Sequence, residues 1–96
     1  MSPGSGDDRI ARRVVVSGRV QGVFFRDSCR EEAQAAGADG WVRNTAEGTV
    51  EAWFEGPQAT VDHLIEWCQS GPRRADVDGV DVHEEDPTGQ QGFGIR

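Results

Sequence analysis

Hydrophobic positions recur along the chain with two periods, and the change from one to the other marks the elements. Residues 12–17 alternate with a period of two, Val14 and Val16 facing a core and Arg13, Val15 and Ser17 the other way, which predicts a first strand. From Phe25 to Ala36 the period lengthens. Phe25, Cys29, Ala33 and Ala36 share one helical stripe, with Arg30, Glu31 and Gln34 facing solvent. Residues 40–45 and 49–55 read as strands joined by a turn at Ala46-Glu47-Gly48, a hairpin in which Val50, Ala52 and Phe54 alternate against Glu51, Trp53 and Glu55. Gly56-Pro57 opens a second helix with the proline at its first position, and Ser70-Gly71-Pro72 stops it. Within it Val61, Leu64, Ile65 and Cys68 recur at i, i+3, i+4 and i+7, and Trp67 lies off the centre of that stripe. Val77, Val80 and Val82 belong to a last long strand whose alternation breaks at Asp78-Gly79, the place for a bulge. Asp86-Pro87-Thr88-Gly89 is turn chemistry, and Phe93 and Ile95 supply a short edge strand.

Strand–helix–strand–strand–helix–strand is the ferredoxin-like order, an α+β βαββαβ sandwich with an antiparallel sheet and two helices on one face. That architecture hosts unrelated activities, so the fold alone names none. Ninety-six residues suffice for one domain with a single core. The Gly/Ser/Pro/Asp-rich start predicts a flexible tail over residues 1–11 and a folded domain over residues 12–96. No apolar run approaches the ~20 residues that cross a bilayer, and the N-terminus lacks the basic-then-apolar pattern of a secretion signal; a cytoplasmic monomer is expected.

Charge narrows the partners. Seventeen acidic residues against ten arginines, with no lysine, give a net charge of −7, which argues against nucleic acid or an anionic membrane surface as partner. An RNA-reading sheet would need exposed aromatics among basic residues, and Trp53 on so acidic a chain does not supply them. An anionic small molecule is repelled at long range and must be held by local groups. Cys29 and Cys68 have no metal-ligand spacing and read as buried, reduced thiols. His63 and His83 lack ligating partners, so no metal and no cofactor are expected.

Local groups suited to an anion occur between the first strand and the first helix, in Gly18-Arg19-Val20-Gln21-Gly22-Val23-Phe24-Phe25-Arg26. Two glycines let the intervening amides turn inward, and helix-start amides form an anion site. Arg26 stands in the first turn, where a cation is misplaced by roughly 0.3–1 kcal/mol unless an anion sits beside it. No Gly-Lys-Ser/Thr follows, so this is not a nucleoside-triphosphate loop. Spacing alone leaves a phosphate cradle and a tight turn with a solvated arginine both open.

The same stretch, with Gly40-Trp41-Val42-Arg43-Asn44-Thr45, Gly48-Thr49-Val50-Glu51, Glu55-Gly56-Pro57 and Gly92-Phe93-Gly94-Ile95-Arg96, resembles the acylphosphatase family from about Val14 to the C-terminus. The resemblance implies hydrolysis of a small acyl phosphate to a carboxylate and inorganic phosphate. By position, Arg26 would bind the phosphate and Asn44 would place the attacking water. The loop Val20, Gln21, Gly22, Val23, Phe24 and Phe25 would supply amides. Larger maturation enzymes carry similar domains, so a non-catalytic phosphate- or carbamoyl-phosphate-binding module is the alternative.

Overall fold

The computed structural model describes residues 9–96. The elements are β1 (Arg9–Arg19), α1 (Phe25–Ala36), β2 (Asp39–Asn44), β3 (Val50–Pro57), α2 (Gln58–Ser70), β4 (Asp76–Glu85) and β5 (Phe93–Ile95). They form a five-stranded sheet in the order β4-β1-β3-β2-β5. β3 is antiparallel to both β1 and β2, so β1 and β2 run the same way on either side of it. β1 likewise separates β3 from β4. Each helix therefore spans a crossover between parallel strands one place apart, the split βαβ arrangement of a ferredoxin-like α+β sandwich, and both helices lie on one sheet face.

The two hydrophobic periods meet in one core. Val14, Val16, Val42, Val50, Ala52 and Phe54 come from the sheet, Phe25, Cys29 and Ala33 from α1, and Val61, Leu64 and Cys68 from α2, all buried in a single cluster. Trp67 packs at its edge, meeting Phe25 edge-to-face at 5.3 Å between centroids. Cys29 and Cys68 are buried free thiols.

Three local expectations change. β1 begins at Arg9 rather than residue 12, so residues 9–11 of the expected tail are strand, paired with residues 55–57; Arg9 also meets Asp39 at 2.8 Å. The rest of that tail lies outside the described residues. Pro57 keeps an extended ψ of 146° and caps α2 from outside, so the helix starts at Gln58. The sheet is mixed rather than antiparallel throughout, because β5 is parallel to β2. The chain leaves β4, crosses the sheet end through residues 86–92 and re-enters beside β2 in the opposite direction to β4. Gln34 is exposed, as expected, and donates from Nε2 to the Phe93 carbonyl at 3.1 Å, tying α1 to β5. The bulge is present: Ser17 pairs with Gly79 and Gly18 with Val77, leaving Asp78 as the extra residue of an otherwise continuous β4.

Glu55 is the largest departure. Its strand alternation places it on the face away from the helices, as expected, yet it is fully buried, because the crossing segment folds over that end of the sheet. Its carboxylate accepts hydrogen bonds from Trp53 Nε1 (2.9 Å), Thr88 N (3.1 Å), Gly89 N (2.8 Å) and Gln90 N (3.2 Å). Burial pushes its pKa up, but the Trp53 and backbone donors outweigh that and leave it below the ordinary value. Asp39 Oδ1 adds a bond from Gly92 N at 2.8 Å. A carboxylate held in this way stabilises the fold above its unfolded pKa of about 4.3 and stops doing so as pH falls through its folded value. Glu55→Gln should cost about 2 kcal/mol or more, since the amide turns an N–H toward N–H donors. Urea midpoints measured at pH 7 and pH 3 should show the gap between wild type and variant shrinking at the lower pH.

Candidate active site

The topology brings the end of β1 and the end of β2 to one edge of the sheet. Val16 and Asn44 both pair with Val50 of the strand between them, which sets them about 10 Å apart across two strand spacings. The loop after β1 closes that distance. Gln21 Nε2 donates to the carbonyls of Thr45 and Thr49, both at 2.9 Å, so one side chain pins the loop to the β2–β3 hairpin. Gly18 has φ 117°, and a Cβ there would run into the Asp76 carbonyl. Gly22, with φ 75°, turns the chain back toward α1.

Helix α1 starts without a side-chain cap. Its N-cap residue is Phe24, in the left-handed region at φ 62° and ψ 25°, and the bond closing the first turn runs from Ser28 N to Phe24 O at 3.0 Å. The amides of Phe25, Arg26 and Asp27 therefore precede the helical ladder, at the positive end of the macrodipole. They border a pocket of about 290 Å³ whose walls include Gly22, Phe24, Arg26, Asp27, Asn44 and Ile95. Val20 and Phe25 close it from the core side. Asp27 is drawn to Arg30 at 3.5 Å, and Arg26 makes no ion pair among the described residues.

Asn44 is placed differently from an ordinary turn residue. The turn is held by Thr45 N to Thr49 O (2.9 Å), Gly48 N to Thr45 O (3.2 Å) and a 2.6 Å bond between the two threonine hydroxyls. None of these uses the Asn44 carboxamide, whose Oδ1 is buried without a hydrogen-bond partner. A buried acceptor left unpaired costs roughly 1–3 kcal/mol.

Of the residues expected from sequence, Arg26 and Asn44 share this pocket with Val20, Gly22, Phe24 and Phe25. Two loop residues turn their side chains elsewhere, Gln21 to the hairpin and Val23 into the core. Arg43 pairs with Glu51 at 2.6 Å on the open sheet face. The Cys29 thiol, raised well above its ordinary pKa by its bond to Cys68 and by burial, is no nucleophile at neutral pH. Among the described residues no cluster of three His, Cys, Asp or Glu is arranged to hold a metal. Asp27 and Ile95 were not legible as pocket residues. Ile95 reaches the site only through the pairing of β5 with β2, which no local signal announces.

The structure is a compact mixed α+β sandwich with a small polar pocket at the uncapped start of its first helix. The comparisons with known proteins narrow this class. The acylphosphatase family model matches residues 12–95. The acylphosphatase of Rubrobacter xylanophilus is 58% identical over 85 residues, covering 88% of this chain and 77% of that one. The solved acylphosphatase of Coxiella burnetii superposes with a TM-score of 0.91 at 35% identity over the full length of both chains. Full-length HypF, solved in a phosphate- and nucleotide-bound form, matches with a TM-score of 0.86 at 27% identity, over 93% of this chain but 12% of that one. The chain belongs to the acylphosphatase family.

The Gln21 bridge joins two walls of the pocket through two hydrogen bonds contributing about 0.5–1.5 kcal/mol each. Gln21→Ala should lower the unfolding free energy by about 1–3 kcal/mol in a urea titration, and reduce turnover along with it. Unchanged stability would mean that the loop is held by other contacts.

Proposed function

We propose that this acylphosphatase works through Arg26 and Asn44, which act on one phosphoryl group at the start of α1. The observation that supports this most is that Arg26 and Asn44, from separate elements, line one small pocket at the uncapped start of α1. The reaction is hydrolysis of the carboxyl–phosphate anhydride of a small acyl phosphate, yielding a carboxylate and inorganic phosphate. Similarity to free-standing acylphosphatases over most of their length favours an enzyme over the non-catalytic binding module.

The chemistry suits the groups present. The leaving carboxylate is a weak base and departs without a strong general acid, so positioning and charge stabilisation remain for the protein. The Arg26 guanidinium spans two phosphoryl oxygens, each charge-assisted bond contributing about 1.5–3 kcal/mol. Amides from Val20, Gln21, Gly22, Val23, Phe24 and Phe25 face the remaining oxygens, where charge develops. The two N–H donors of the Asn44 carboxamide hold the attacking water and touch the phosphate. The substrate phosphate takes the water's proton. No metal or cofactor has a step in this scheme. The reading extends to a monomeric, cytoplasmic chain that engages a small molecule and neither nucleic acid nor membrane. The net charge of −7 supports the last two, and no helix of the described residues is long and apolar enough to span a bilayer.

Purified protein should hydrolyse an acyl phosphate at the same rate with and without chelator. Arg26→Ala should raise KM and lower kcat/KM by about 10²–10⁴, the equivalent of two charge-assisted bonds. Asn44→Ala should lower kcat mainly, while inorganic phosphate still raises its thermal midpoint. Full activity in either variant would remove that residue from the scheme. An inactive wild type that phosphate still protects from heat would favour the binding module.

A further inference from the structure

Two large apolar side chains are exposed among the described residues, Phe24 at 66% and Val82 at 44%. Val82 belongs to the edge strand β4, where a scattered exposed valine is ordinary. Phe24 is different in three respects. It is the one non-glycine residue with positive φ among the described residues, a conformation that is a genuine outlier for a bulky side chain. It sits at the N-cap of α1, where Ser, Thr, Asp or Asn would bond a helix amide and phenylalanine bonds none. It lines the pocket of Arg26 and Asn44 and stays out of the core. Backbone, cap and burial would each favour another residue at this position, so the fold gains nothing from the ring. Strain of this kind gathers at functional sites.

We infer that Phe24, with Ile95, forms the acyl-side wall of the active site and makes the enzyme select acyl phosphates whose acyl group is uncharged and apolar, aryl above methyl. This rests on the hydrolase reading given above and deepens it. The phosphoryl group is engaged by the guanidinium and helix-start amides, so the part of the substrate left for an apolar wall is the acyl group. Ile95 lines the same pocket and is held in place by β5, through its pairing with Val42 and the bond from Arg96 N to Val42 O at 2.9 Å. A flat ring on the acyl group stacks or meets edge-on with Phe24, whereas a methyl group leaves it in water. Asp27, also in the wall, opposes a second negative charge on the acyl part.

The test compares kcat/KM for benzoyl phosphate and acetyl phosphate in wild type, Phe24→Gly, Phe24→Leu and Ile95→Ala, together with thermal midpoints. Wild type should prefer the benzoyl substrate. Phe24→Gly should cut the benzoyl-to-acetyl ratio about tenfold, the scale on which an apolar pocket distinguishes hydrocarbon groups, with the change in KM. Phe24→Leu and Ile95→Ala should fall between. Because glycine relieves the positive φ, the midpoint of Phe24→Gly should not drop. A ratio unchanged in Phe24→Gly and Ile95→Ala, in active proteins, overturns the acyl wall while leaving the hydrolase intact. So does a lowered midpoint with an unchanged ratio, which marks the ring as structural. A wild type that hydrolyses neither substrate overturns the hydrolase reading and the wall with it.

Discussion

Everything at the working end of this molecule depends on a helix that starts unsatisfied. Helix α1 begins at Phe24 with no side chain to accept its first amides, and it carries an arginine in the turn where the macrodipole already supplies positive charge. Left alone, such a start is a local cost. It becomes favourable when an anion occupies it, and Asn44 lines the same pocket. Helix-start amides and a guanidinium beside one pocket are the kind of fixed donors that electrostatic preorganisation uses.

The opposite end of the sheet shows how that unsatisfied start is tolerated. There the polar groups are paired: Glu55 accepts from Trp53 and three successive backbone amides, and Asp39 takes both Arg9 and the Gly92 amide. These bonds fasten the segment that delivers β5 to the edge of β2, and β5 brings Ile95 to the pocket. At the pocket end the Gln21 carboxamide holds the loop to the hairpin.

How much of this could be read from the chain divides by sequence separation. The stripe of Val61, Leu64 and Cys68 and the alternation of Val50, Ala52 and Phe54 predict their own burial, because a helix or strand shows its faces locally. The glycines and helix start of the stretch from Gly18 to Arg26 are contiguous, so the turn was legible locally, while its spacing left a cradle and a plain turn both open. Glu55 was legible as facing away from the helices but not as buried, since a segment more than thirty residues later covers it. Pro57 as a cap from outside, Gln21 as a bridge and Ile95 in the pocket wall are likewise consequences of long-range pairing that no local pattern contains. Sequence placed the actors, and the register of the strands decided which of them meet.

A titration of isotopically labelled protein with inorganic phosphate, followed by amide chemical shifts, tests the shared phosphoryl site most directly. The account predicts that the backbone amides of residues 22–27 and the side-chain N–H₂ of Asn44 shift together along one binding curve, and that Arg26→Ala abolishes the effect at the same phosphate concentration. Shifts centred elsewhere on the surface, or Asn44 unmoved while the loop responds, would contradict it.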